Sequence, residues 1–310
     1  MKDVSLSSKE WGNQRPGLVA LSGPRPRFWG LMRAELLKIS RQWGTWLLLM
    51  LTLSFVAGFY IIEATQSSLG EEIRRDPLPY LYLQLRGLDI LRVFAGVFLI
   101  VVAARCVGLE YQLGTIRIIL ARGVGRLQLL AAKLLTLSLI VLLTLVVGLA
   151  EIVICFCLLT LLLSGNLNVL SAANATFWHD AGFYTLAVAS SMGISVLMAV
   201  ALAVIGRSQT FGLSAALGYF PADNFLVALL YFAFRLTNNQ FWQDVSAYLL
   251  GPNLNAMGMV VTHGHAFSMG TVPLNMQLVD ARHIWLLLLV YALVFLGVSL
   301  YLTRSRDIRE

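Results

Sequence analysis

The 310-residue chain is short of charge, and that shortage excludes more than any motif it contains. Only 13% of its residues are Asp, Glu, Lys or Arg, where a water-soluble domain carries about a quarter. Hydrophobic residues make up 58% and mean hydropathy is +0.76. That balance excludes an ordinary soluble enzyme and predicts a polytopic membrane protein. The net charge of +7 is no sign of a nucleic-acid partner, and none is expected; it has to be read by position along the chain.

Cysteine is scarce too. Cys106, Cys155 and Cys157 all lie in or beside apolar runs, so they read as small buried hydrophobes rather than as a disulfide or a metal site. No GxxxxGK[ST] loop occurs, so the chain is not expected to hydrolyse ATP itself. Gly123-Val124-Gly125 lacks the third glycine of a dinucleotide fingerprint and follows no strand. No HExxH occurs; His263 and His265, two residues apart, do not share a helix face and read as polar loop residues, with Asp280 and His283. Glu71-Glu72 and Arg75 fall in a loop with no histidines facing them, which argues against an intramembrane protease. Asn174-Ala175-Thr176 fits a glycosylation sequon, a motif short enough to arise by chance. There is no period of 20–50 residues, so a two-fold pathway would need a second subunit. Residues 1–24 are polar with no apolar stretch of the kind a secretory signal needs, and they read as a disordered cytoplasmic tail.

What is present is one membrane domain, 25–310. Six apolar runs are near the ~20 residues needed to cross ~30 Å of hydrocarbon. They are Trp46–Ile62, Leu88–Val107, Leu134–Leu163, Phe183–Gly206, Phe211–Phe234 and Ile284–Leu302. The third exceeds what a bilayer needs and should tilt or project. Ahead of the first span, Phe28, Met32, Leu36, Ile39 and Trp43 recur at helical spacing, with Arg33, Lys38 and Arg41 on other faces. Residues 28–43 therefore form either an interfacial amphipathic helix or the solvated start of the first span.

Lys and Arg set the orientation. With the N-terminus inside, seventeen of the 23 fall in inner segments and five (Arg74, Arg75, Arg86, Arg235, Arg282) in outer ones. The expected protein is a multi-pass protein of the plasma membrane with both termini cytoplasmic. Outside, residues 63–87 read as a polar loop. Within the longer segment 235–283, the apolar stretch 245–262 is broken by Gly251-Pro252-Asn253 and Asn255. It is either a pair of short helices dipping into the outer leaflet or an ordinary structured loop.

Polar residues inside the spans mark candidate working parts, because burying them is costly. Arg92 and Glu151 fall at comparable depth in the outer half, and either pair across the second and third spans or snorkel separately. The fifth span holds Pro221, Asp223 and Asn224. Asp223 either lines a translocation path or caps a helix break at the proline.

The densest signal is 108–133, GLEYQLGTIRIILARGVGRLQLLAAK, between the second and third spans. Basic residues alone would satisfy the positive-inside rule; Glu110-Tyr111, Gly114-Thr115 and the apolar 116–120 are not needed for it. With Arg117, Arg122, Arg126 and Lys133, and with Glu35-Leu-Leu-Lys38 ahead of the first span, this pattern resembles the permease subunits of ABC-2-type ATP-binding-cassette exporters. Many relatives carry a proline in the basic loop, near the position of Gly123 here. The resemblance implies an all-α fold with six transmembrane helices, an N-terminal interfacial helix and a cytoplasmic coupling helix, about Leu109–Leu120. It implies two permease chains, as a homo- or heterodimer in the lipid membrane, above two separate ATPase subunits that hold ATP and Mg2+; this chain needs no cofactor and has no catalytic or metal residues. Glu110, Tyr111, Gly114, Thr115, Arg117, Arg122, Arg126 and Lys133 would couple to the ATPase, with Glu110 at the coupling helix's start, Ile116, Ile119 and Leu120 as its apolar contact, and Arg117 as a polar anchor. A non-transporting scaffold or regulator of the same fold is the alternative. An intramembrane enzyme is a weaker one, for want of a His/Asp/Glu constellation.

Overall fold

The computed structural model describes residues 28–66, 69–265 and 279–305. The N-terminal tail expected over 1–24 lies outside them. The described residues form helices and no strands, and six helices are long and apolar enough to cross a membrane. These are α2 (Trp43–Ala64), α5 (Arg86–Gln112), α7 (Arg126–Ser164), α8 (Ala175–Gly206), α9 (Gln209–Thr237) and α12 (Ala281–Ser305). Each contains one of the six runs and is extended by a few residues where polar caps or turns take over.

The short elements are α1 (Phe28–Ser40), α3 (Leu69–Arg75), α4 (Pro77–Gln84), α6 (Thr115–Ala121), α10 (Phe241–Ser246) and α11 (Leu250–Val261), with a 3-10 turn over 168–172. α5 and α8 form the central pair: 67% of the apolar window is buried in the span that ends in α5 and in α8, against 17–22% in the other four. α2 and α7 flank α5 on one side, α9 lies against both central helices, and α12 packs on α8. Met50, Leu142, Ile154, Leu162, Phe225 and Leu293 stay exposed on the outer helices, as expected of a bundle whose solvent is lipid.

Asn174 explains the start of α8. Its Oδ1 accepts from Phe177 N at 2.8 Å, so the sequon-like triplet carries an N-cap. α7 runs for 39 residues, about 58 Å, and begins at Arg126, two turns before the apolar run does. Residues 63–87 are not the loop their polarity suggests. Pro77 sits at the first position of α4, where its fixed φ suits a helix and no N–H is missed. Tyr80 and Tyr82 are buried, and their hydroxyls meet Thr160 Oγ1 at 3.1 Å and Asp180 Oδ2 at 2.9 Å.

The stretch 245–262 resolves in favour of short helices. α11 packs among α8, α9 and α12, with Asn253, Leu254 and Met257 buried. Gly251 N donates to Asp223 Oδ2 at 2.5 Å, and Asp223 lies 14 residues before the end of α9. The amino end of α11 is thus set back about 21 Å of helix from that end, inside the bundle.

Close approach fixes the other end. A Cβ on Gly108 would stand 2.5 Å from Gln209 Cα and 2.6 Å from Gln209 N, where α5 meets the start of α9. These are backbone atoms and cannot rotate away. Gly108→Ala should therefore cost about 1–3 kcal/mol, read as a lower melting temperature in detergent. Gly182→Ala on α8, with nothing within 4 Å of the new carbon, should be neutral or slightly stabilising.

Candidate functional site

Three helices meet at the end of the bundle that carries α6. α1 brings Glu35 and Lys38, one turn apart; α5 brings Glu110 in its last turn; α7 brings Lys133 two turns from its start. The four charges alternate around a closed ring. Lys38 Nζ lies 2.7 Å from Glu35 Oε1 and 2.6 Å from Glu110 Oε1. Lys133 Nζ lies 3.0 Å from Glu35 Oε2 and 3.0 Å from Glu110 Oε2, the latter an ion pair without hydrogen-bond geometry. Lys133 also donates to Cys106 O at 2.7 Å. Glu35, Glu110 and Lys133 are buried, and only Lys38 reaches solvent.

Isolated, each buried ion would cost several kcal/mol; here two carboxylates and two ammonium groups cancel. Burial pushes the Glu35 carboxyl up, but the ammonium groups of Lys133 and Lys38 outweigh it and hold the group below the usual carboxylate range. Burial likewise pulls the Lys38 ammonium down, but hydrogen bonds to Glu110 and Glu35 more than reverse that and hold it above the usual lysine range.

Glu110 is therefore not at the start of a coupling helix running from Leu109 to Leu120. Gly114, at φ +68, breaks that stretch in two, because the left-handed conformation ends α5 and glycine adopts it without strain. Leu113 N and Gly114 N close α5 onto Leu109 O and Tyr111 O. Thr115 then opens α6, whose Ile116 turns inward onto Val124 and Leu129, with Leu31, Tyr111, Ile119 and Leu120 packed around them. Arg117 and Ile118 point outward. Arg122 and Gly123 connect α6 to α7; Gly123 has φ +85, which a proline, fixed near −65°, could not adopt. Arg126 opens α7 and lines a small open cavity beside α6, whose mouth the exposed Arg117 edges.

A second polar group lies deeper in the bundle. Arg92 Nε contacts Asp89 Oδ1 at 2.8 Å on its own helix, and Nη2 donates to Asn255 Oδ1 at 3.0 Å. Asn255 Nδ2 donates to Asn224 Oδ1 at 3.1 Å, and Asn224 Nδ2 to Phe220 O at 2.8 Å. The Arg92–Glu151 pair does not form. Similar depth is not enough: α7 faces the side of α5 that carries Leu91, which lies against Gly148, while Arg92 turns toward α9 and α11. Glu151 Oε2 is buried without a hydrogen-bond partner. Asp223 caps no helix break at the proline, because α9 runs unbroken from Gln209 to Thr237; it accepts instead from Gly251 N at the start of α11. A cavity of about 340 Å3 lies beside this chain of groups, lined by Arg92, Asn224, Asn255, Pro221, Ser191 and Ser195 among others.

Glu110, Lys133 and α6 lie together at one end of the bundle, and Glu35 and Lys38, which the sequence does not mark as their partners, join them there. The i, i+3 spacing of Glu35 and Lys38 on an amphipathic helix was the available signal. Asp89 and Asn255 carried none, since nothing local says which way they face.

The described residues thus form a six-span helical bundle with an interrupted basic connection between the second and third spans. A family model described as "ABC-2 family transporter protein" matches residues 31–223, more than half of the chain, and the protein belongs to that family. The match runs from α1 to Asp223 and so contains the whole four-charge ring and α6. A comparison with curated proteins finds no match.

Removing one member of the ring should be severe. Glu35→Gln leaves buried Lys133 with one carboxylate instead of two, at an expected cost of about 3–5 kcal/mol. The pH window follows from the two shifts. The depressed Glu35 contributes stability above its unfolded pKa of ~4.3, lost as pH falls through its lower folded value. The raised Lys38 contributes below its unfolded pKa of ~10.4, lost as pH rises through its higher folded value. The gap in melting temperature between wild type and Glu35→Gln should be level from about pH 5 to pH 10 and close in stronger acid.

Proposed function

We propose that this chain is the transmembrane permease subunit of an ATP-driven ABC exporter, working as a dimer in the cell membrane with α6 and both termini on the cytoplasmic side. Separate ATPase subunits, carrying ATP and Mg2+, dock against α6. The observation that carries this reading is the placement of α6: a short helix with Arg117 and Ile118 exposed, its inner face packed on a small core, next to a buried ion ring joining α1, α5 and α7. A helix that only connected two spans would need no such anchoring. Ile118 rather than Ile116 supplies the outward apolar contact, with Arg117 and Arg122 as polar anchors beside it.

Movement of α6 on ATP-driven closure would pass into α5 and α7 as one body, because Glu110 and Lys133 belong to the same ring. The polar chain from Arg92 to Asn224 and its adjoining cavity, beside the kink-prone Pro221, are the proposed face of the pathway. A scaffold of the same fold would have no use for this cavity.

The test is co-purification with a candidate ATPase and measurement of its stimulated activity. Ile118→Glu combined with Arg122→Glu should weaken the complex on the order of tenfold or more and abolish stimulation, while leaving the melting temperature of the isolated chain unchanged. An intact, fully stimulated complex would overturn the docking role of α6.

A further inference from the structure

Two contacts fix the seam between α2 and α5 and set the helices antiparallel. Phe55 of α2 stacks on Phe94 of α5, with ring centroids 3.8 Å apart. About three turns away on each helix, roughly 17 Å along the seam, Gly44 meets Arg105: a Cβ on Gly44 would stand 3.2 Å from Arg105 Nη1. Gly44, Leu48, Leu51 and Phe55 share one face of α2, and Leu51 and Phe55 are exposed. On α5, every residue from Ala95 to Glu110 is buried except Val97, Val101, Arg105 and Leu109. These recur every four residues, so they form one uncovered line along the central helix.

Arg105 is the only charge on that line. Its Nε is buried with no hydrogen-bond partner, and among the described residues Arg105 has no ion pair. Arg92, on the same helix, contacts Asp89 at 2.8 Å, and the two lysines of the ring each touch two carboxylates. A partly buried guanidinium without an anion is costly, and an anion brought to it forms charge-assisted hydrogen bonds. Its height along the bundle suits a head group. Arg105 lies beside the first turn of α2, where Trp43 and Trp46 are exposed, and such aromatic residues gather at the membrane–water boundary. Further along the seam, Leu51, Phe55 and Val97 offer an apolar surface.

We propose that the α2–α5 seam seats one anionic phospholipid, with its phosphate paired to Arg105 and one acyl chain lying along Leu51, Val101 and Val97 toward the Phe55–Phe94 stack. The guanidinium fork matches phosphate geometry, and Gly44 keeps side chains clear of it. Charge and apolar surface follow each other in the order that a lipid's head and tail require. A zwitterionic lipid carries the same phosphate, but its ammonium offsets part of the attraction. Free phosphate brings the charge without the chain. The seat needs no ATPase, so it stands apart from the docking role of α6.

The experiment uses the full chain, delipidated in mild detergent, with no ATPase present, and titrated separately with phosphatidylglycerol, phosphatidylcholine and inorganic phosphate. Native mass spectrometry reads bound lipid per chain and the oligomeric state, and melting temperature checks that each variant is folded. One phosphatidylglycerol per chain should be held about fivefold more tightly than phosphatidylcholine, and inorganic phosphate should not displace it. Arg105→Gln should weaken phosphatidylglycerol about fivefold, level with phosphatidylcholine, while Arg105→Lys keeps most of the preference. Leu51→Asn, in the apolar part of the seam, should weaken both lipids alike, by about threefold or more. Phosphatidylglycerol held no more tightly than phosphatidylcholine by the wild type, or an undiminished preference in folded Arg105→Gln, would overturn the proposal. So would displacement of the lipid by inorganic phosphate, which would give Arg105 to the free ion, or a dimer that takes up no phosphatidylglycerol, which would give the seam to a second copy of the chain.

Discussion

A buried charge must be cancelled where it stands, and the end of this bundle that carries α6 is organised around that constraint. Glu35, Lys38, Glu110 and Lys133 are drawn from three helices far apart in sequence, yet each carboxylate touches both ammonium groups. Removing any member leaves the buried ring with a net charge, in a site where an unbalanced charge costs several kcal/mol. Each member is held by two others, so α1, the end of α5 and the start of α7 are tied together. That gives α1 a structural role: it contributes half of the charges.

The second polar group obeys the same rule with different consequences. Asp89 and Arg92 cancel on one helix, and the chain then continues through neutral amides to Asn224 and the Phe220 carbonyl. Amides can exchange partners without exposing a net charge, so this group can be remade more cheaply than the ring. It stands beside Pro221, which removes one backbone donor from α9, and beside the larger cavity. A neutral ring at one end and a polar chain of exchangeable amides deeper in the bundle fit the proposed coupling, in which one part would transmit movement and the other yield to it.

The spans were legible because length and hydropathy alone decide them; each of the six apolar runs lies within a helix. Gly114 was legible as a break, though not which helix it ended, and so Glu110 was placed at the start of α6 when it belongs to the last turn of α5. Partners across the bundle were harder. Arg92 and Glu151 share a depth, but depth says nothing of a helix's rotation about its axis, and that rotation turns Arg92 toward Asn255. The polarity of residues 63–87 misled for a related reason: Tyr80 and Tyr82 bury their rings and satisfy their hydroxyls on Thr160 and Asp180, pairings no local pattern announces.

Geometry then decides where movement can go. α7 is about 58 Å long, roughly twice the hydrocarbon thickness, and is held at separate heights. Near its start Lys133 locks it into the ring, and Gly148, 15 residues further on, admits Leu91 of α5 so closely that any Cβ would collide with it. A helix pinned to the same neighbour at two heights cannot slide past it; it can only tilt together with it. On the proposed docking at α6, a displacement entering there would emerge as joint tilting of α5 and α7, pressing α5 toward α8, α9 and the Arg92–Asn255 contact. On that proposal the ion ring and the Gly148 notch would convert a local push into a change at the polar chain without any element having to unfold.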